Sequence, residues 1–188
     1  MYANMKTIVA TLWTIALAGT VALEANANQI GVLDEDAKTY TITVAEGEAI
    51  SLSAEDAAAI LALDAGSVFV KDGKGVLSVG EQIADFAGVI CVTNGYYEAS
   101  SCVSLGTGGA SSGTVIADGA TLLLAAAKDT LTFTNEYITL SGAGVANDGA
   151  LRNLPADGSY SNQQANVLRK LGRLTLAADT TVCGHSIG

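Results

Sequence analysis

The sequence predicts an all-β, repetitive fold, and three observations carry that reading. Period-two alternation of apolar and polar residues dominates, the pattern of a strand with one buried face. The alternating runs are short, and Gly, Asn or Asp separates each from the next, so turns are frequent. A short motif also recurs. Val115-Ile116-Ala117-Asp118-Gly119-Ala120 returns as Val145-Ala146-Asn147-Asp148-Gly149-Ala150, with Leu122 and Leu151 following. A looser copy is Phe69-Val70-Lys71-Asp72-Gly73. Asp-Gly favours a tight turn, because Asp bonds its own backbone and Gly accepts positive φ without steric penalty. The repeat turns are therefore Asp72-Gly73, Asp118-Gly119 and Asp148-Gly149, and a period of this size points to a solenoid.

Taken in order, the chain opens on Lys6 and an uncharged, mainly apolar run from Thr7 to Leu23, followed by Ala25-Asn26-Ala27. A small positive region, an apolar run and a small-x-small site describe a secretory signal peptide cut between Ala27 and Asn28. A transmembrane anchor is the competing reading, since the run approaches spanning length. The cleavage pattern and the lack of a following Lys/Arg cluster argue against it.

In Thr39 to Val44 the residues Tyr40, Ile42 and Val44 share one face and three Thr the other. Ser53-Ala54-Glu55-Asp56 then opens a run of Ala, Ile and Leu that ends at Asp64-Ala65-Gly66. A Ser cap, acids in the first turn, strong helix formers and a closing Gly predict one short helix. It reads as a cover over an exposed end of the β-structure. Further strands are expected at Ser67–Lys71, Val76–Val79, Val89–Thr93, Thr114–Ala117, Thr121–Leu124, Thr130–Thr134, Ile138–Ser141 and Leu174–Leu176. The expected organisation is a signal peptide over 1–27, N-terminal strands and a capping helix over 28–66, and a repeat region over 67–188. Ordering costs about 1–2 kcal/mol per residue, and an inward apolar side chain returns about 1.5–3 kcal/mol. One repeat cannot stand alone, so repeats must stack.

The formal net charge is −10. An acidic surface repels nucleic acid and anionic lipid, so nucleic acid is excluded as an expected partner. The basic cluster Arg152, Arg169, Lys170 and Arg173 reads as a solvated loop. Of three cysteines, Cys91 and Cys102 are close enough to close a short loop by a disulfide in an oxidising compartment, leaving Cys183 over. The alternative has Cys91 as a small hydrophobe inside a strand. The single His, His185, and the lack of a Cys-x-x-Cys spacing argue against a metal.

From Lys71 to Val79 (KDGKGVLSV) the chain resembles the autotransporter-associated β-strand repeat. That family's pattern is a Lys, a small turn, Gly-x-Leu-x-Leu, a Gly-containing polar loop, a short strand, a Gly and another strand. The order reads on through Gly88–Val92, Asn94–Tyr97, Ser104–Gly108, Gly113–Val115 and Asp118–Leu122. Ile138–Val145, Gly149–Leu154 and Leu174–Val182 are similar to its continuation. The resemblance covers roughly Ser67 to the C-terminus. It implies a right-handed parallel β-helix, a pectin-lyase-like solenoid, exported to the surface of a Gram-negative-type bacterium or released, and acting as a stalk or adhesin-like segment.

The stretch Asn162–Gly172 departs from the family pattern. The sequence stops at Gly188 without the alternating, aromatic-ended strands of an outer-membrane barrel. The expectation is a fragment whose export relies on a missing C-terminal barrel or another component. Its open C-terminal edge is then expected to self-associate.

Catalytic chemistry is not expected. Glycoside hydrolysis needs two carboxylates facing one cleft, and lyase chemistry needs a base with a cation or metal. The acids are dispersed: Asp34-Glu35-Asp36, Glu46, Glu48, Glu55-Asp56, Asp85 and Glu98. Ser100-Ser101 and Ser111-Ser112 have no His other than His185 for a triad. Gly106-Thr107-Gly108-Gly109 lacks the Lys and helix of a phosphate loop, and Asp34–Asp36 reads as a solvated loop before a weak calcium site. Neither cofactor nor metal is expected. Tyr96-Tyr97 and Tyr160 are ordinary strand aromatics or, alternatively, glycan-stacking residues. The expected function is a non-catalytic structural passenger segment, with a surface glycan or host protein as candidate partner. A glycan-binding or glycan-cleaving protein is the alternative.

Overall fold

A computed structural model of the chain describes residues 29–125, 131–153 and 169–183. Among these described residues, thirteen strands fall into two sheets. The seven-stranded sheet holds, in order, β1 (Val32–Asp34), β2 (Thr39–Thr43), β4 (Val68–Asp72), β6 (Val89–Val92), β8 (Thr114–Ile116), β10 (Leu131–Gly142) and β12 (Arg169–Thr180). The six-stranded sheet runs β13 (Val182–Cys183), β11 (Leu151–Arg152), β9 (Ala120–Leu124), β7 (Gly95–Ala99), β5 (Val76–Val79) and β3 (Ala49–Ser51). From β2 onward consecutive strands alternate between the sheets, so a strand of the opposite sheet links each pair of parallel neighbours. Only β1 with β2 is antiparallel among the described pairs.

This architecture corrects the expected fold class. In place of an all-β, right-handed parallel β-helix of pectin-lyase type, the described residues form a mixed α/β arrangement. It consists of two open sheets of mostly parallel strands and one α-helix, α1 (Ala54–Leu61). The units are not uniform, and the reason is local. The first sheet begins with a reversed strand, α1 places Ala57 and Ile60 in the core, and the β10–β12 ladder shifts register between Phe133 and Tyr137. The recurring Asp-Gly motif is not a structural period either. Leu122 pairs with Leu151, but Val115 of β8 pairs with Thr139, while Val145 lies in a 3-10 turn over Val145–Asn147.

Alternation explains the core. In one sheet Tyr40, Phe69, Ile90, Thr114 and Ile138 are successive register partners, and all five are fully buried. In the other, Leu77, Tyr97, Leu122 and Leu151 form a matching column, buried throughout. The rings of Phe69 and Tyr97 meet edge to face at 6.4 Å and join the two columns. This core crosses the expected 66/67 boundary without a break, because β2 pairs with β4 and β3 with β5.

The helix forms where expected but stops early. The Ser53 Oγ accepts the Asp56 N–H at 3.0 Å, and the cap at the other end is Ala62. Gly66, at φ +87°, turns the chain into β4 instead of closing the helix. Asp56 is fully buried; its carboxylate accepts Tyr40 Oη at 2.7 Å and the N–H of Gly31 at 2.9 Å. One side chain thus ties α1 to β2 and to the segment before β1. No helix among the described residues is long and apolar enough to cross a membrane.

Candidate functional site

The expected turn residues occupy corners between the sheets. Gly73, Gly119 and Gly149 have φ of +76°, +80° and +115°, values that disfavour a side chain. Asp72 closes β4, and its Oδ1 accepts Thr93 Oγ1 at 2.7 Å from the next corner. That hydrogen bond, and one from the Gly73 N–H, hold its carboxyl below the ordinary carboxylate range. The Asp118 carboxylate lies over Gly142, where a Cβ would collide with it. Asp148 pairs with Arg152 at 3.5 Å. Each Asp bonds or packs at its own corner.

Beneath the Asp72 corner lies Lys71, a fully buried cation that patterning does not single out as a core residue. Its Nζ donates to the carbonyls of Gly73 (2.5 Å), Gly75 (2.7 Å) and Asn94 (2.8 Å). Three acceptors match the three donors of an ammonium group. Burial pulls the amine down to about 8, with the neighbouring Asp72 carboxylate opposing the shift. Gly95 makes the cage possible: a Cβ there would sit 2.4 Å from the Gly73 carbonyl and 2.6 Å from Nζ.

A second buried charge lies at the irregular part of β10. Glu136, 3 % exposed, follows the break in register after Phe133. Its Oε1 accepts Thr114 Oγ1 at 2.7 Å. Burial lifts its pKa to about 7, and hydrogen bonds from the Thr114 side chain and backbone pull it partly back. Tyr97, fully buried, is raised well above its ordinary value by burial and then by the Glu136 charge; its Oη donates to the Ser104 carbonyl at 2.6 Å.

Glu136 lines a cleft of about 220 Å³ together with Cys102, Thr107, Gly108, Thr132 and Asn135. The carboxyl can take up or release a proton near neutrality. Among the described residues lining the cleft there is no second carboxylate, His or basic group, so a paired acid–base arrangement is not assembled there. Sequence reading missed Glu136. Its signal was a lone acid between Phe133 and Ile138, which the alternating pattern would otherwise have left apolar or exposed.

The Cys91–Cys102 bridge is not formed. Cys91 lies between buried Ile90 and Val92 in β6, in register with Val70 and Val115, and therefore points to the opposite side of the strand from the core. Cys102 sits in the bend after β7, where its Sγ accepts the Thr132 N–H at 3.4 Å. Cys91 thus lies within a strand of the seven-stranded sheet, and Cys102 in the turn that follows a strand of the six-stranded one.

Tyr97 is core, while Tyr96 lines a trough of about 530 Å³ with Glu46, Lys74, Asn94 and Ala146. Asp34 Oδ1 accepts the Ala37 N–H at 3.0 Å, closing its own turn. Among the described residues no group of three potential metal ligands converges. Ala27 and Asn28 of the expected cleavage site, Tyr160 and His185 lie outside the described residues. No family model matches the chain, nor does any curated protein or solved structure.

Proposed function

We propose that the chain is a non-catalytic structural segment, secreted or displayed at the surface of a Gram-negative-type cell, comparable in role to an autotransporter passenger. The observation that carries this reading is the pair of buried columns running strand to strand through both sheets. Polar side chains hold corners together, as at Lys71, Asp72 and Ser104. The leader-like segment ahead of Asn28 supplies the route of export. The test is expression with the native N-terminal segment in a Gram-negative host. Material beginning at Asn28, outside the cytoplasm and cleaved by protease added to intact cells or present in the medium, is expected. Cytoplasmic protein retaining the leader would overturn the reading.

A second reading, glycan binding, is favoured by the Tyr96 trough. Its rim includes Ala146 at φ +54°, a conformation costing a non-Gly residue about 1–2 kcal/mol, and strain of this kind clusters at ligand sites. Glycan binding lost in Tyr96→Ala is the expected result; an array silent for the wild type removes this reading.

A further inference from the structure

The two edges of the seven-stranded sheet are opposite in charge and matched in position. At one edge β1 carries Asp34, with Glu35 and Asp36 directly after it. At the other, β12 carries Lys170 and Arg173, both exposed. The buried column of Tyr40, Phe69, Ile90, Thr114 and Ile138 ends on Leu33 at the first edge and on Leu174 at the second. Both leucines are 40 % exposed, whereas every member between them is fully buried. In the adjacent column Asp34 stands beside Thr39 at one end, and Arg173 stands beside Tyr137 at the other. The Arg173 guanidinium rests 4.8 Å from the Tyr137 ring centre, held on the sheet face.

Displacing a copy along the sheet without turning it over would bring Leu33 opposite Leu174 and Asp34 opposite Arg173. Since β1 runs against the other strands of its sheet, the new pair would be antiparallel. In such a pair, facing residues share a side and opposite charges stabilise the contact. A two-fold joining of two β12 edges would instead set basic residues against basic ones. The occupant that fits β12 is therefore the β1 edge of a second copy.

We propose that the chain associates head to tail, β12 of one copy pairing with β1 of the next, with Arg173 and Lys170 meeting Asp34, Glu35 and Asp36. A head-to-tail contact made by translation alone does not close into a ring and continues as an open series. The chain, freed of its leader-like segment and kept reduced, is examined by analytical ultracentrifugation over a concentration series at low and high salt. The expected result is mass growing past that of a dimer with concentration, and weakening in salt. Arg173→Glu and Asp34→Arg should each weaken association about tenfold or more. An equimolar mixture of the two should associate as the wild type does, because both junctions in an alternating series are then complementary. Arg173→Gln, a milder change, should weaken it less, and unchanged circular dichroism is expected for all three. A wild-type monomer, a dimer that does not grow, indifference to the charge reversals, or a folded mixture that fails to recover would each overturn the proposal.

Discussion

At the corner between β4 and β5, the buried Lys71 uses its three donors on three backbone carbonyls. At the break in β10, the buried Glu136 accepts hydrogen bonds from the side chain and backbone of Thr114. Burial moves both groups, pulling the amine down to about 8 and lifting the carboxyl to about 7, but three carbonyls converge on the cation whereas the carboxyl is held through Thr114. The difference follows from where the backbone is regular. The corner at Gly73 and Gly75 and the next corner, at Asn94, line up because β4 and β6, like β5 and β7, keep their register. Carbonyls at those corners converge on one point. Near Glu136 the β10–β12 ladder slips, and no such convergence arises. Regular stacking surrounds the buried Lys71 with three acceptors; at the slip in β10 the buried Glu136 is held through Thr114.

The most damaging way to break the Lys71 corner is Gly95→Ala. The methyl group would meet two carbonyls and the ammonium below 3 Å, at φ +67°. Overpacking and a left-handed alanine together should destabilise by roughly 3 kcal/mol or more, read as a shift in the denaturant midpoint. Next is Lys71→Met, which keeps the bulk of the stem and removes the donors. The Gly73 and Asn94 carbonyls would lose their donor in a part-buried place, and a loss of about 2–3 kcal/mol is expected.

The carboxyl at the β10 break gives a prediction of opposite sign. Glu136 ordinarily titrates near 4.5 and here at about 7, so between those values the folded state holds more protons than the unfolded one. The contribution of Glu136 to stability should fall as pH rises from about 4.5 to about 7 and stay at the lower level above that. Glu136→Gln should remove that slope and stabilise the protein at pH 8 by on the order of 2 kcal/mol; chemical unfolding at pH 5 and pH 8 reads both effects. The smallest effect is reserved for Gly119→Ala. Gly119 shares a left-handed φ with Gly95, but nothing lies within 4 Å of its would-be Cβ. A loss near 1 kcal/mol is expected, and equal losses at Gly95 and Gly119 would mean that the cage contributes nothing.

Much of the strand layout was legible because alternation reports burial. The runs at Thr39–Val44, Val76–Val79 and Thr114–Ala117 appear as β2, β5 and β8. Strands escaped notice where that signal is diluted. β7 begins on Gly95 and carries Glu98 outward to Ser78 Oγ at 2.9 Å, and β11 and β13 have two residues each. The runs at Thr130–Thr134 and Ile138–Ser141 merge into one strand, β10, across the polar Asn135 and Glu136. Fold class was misread because a recurring Asp-Gly turn fixes a corner and not the distance between partners: Val68 meets Val89, whereas Ile138 meets Leu174. The two buried charges were hidden for a common reason. Burial of Lys71 and Glu136 depends on backbone groups and neighbours distant in sequence, which spacing along the chain does not display.

The central physical claim is that both sheets share one cooperative core joined where Phe69 meets Tyr97. Native-state hydrogen exchange tests it most directly. Amides of Ile90 and Val92 in one sheet, and of Tyr97 and Ala99 in the other, should open with one common free energy equal to that of global unfolding. Exchange of the six-stranded sheet at a distinctly lower free energy than the seven-stranded sheet would contradict it.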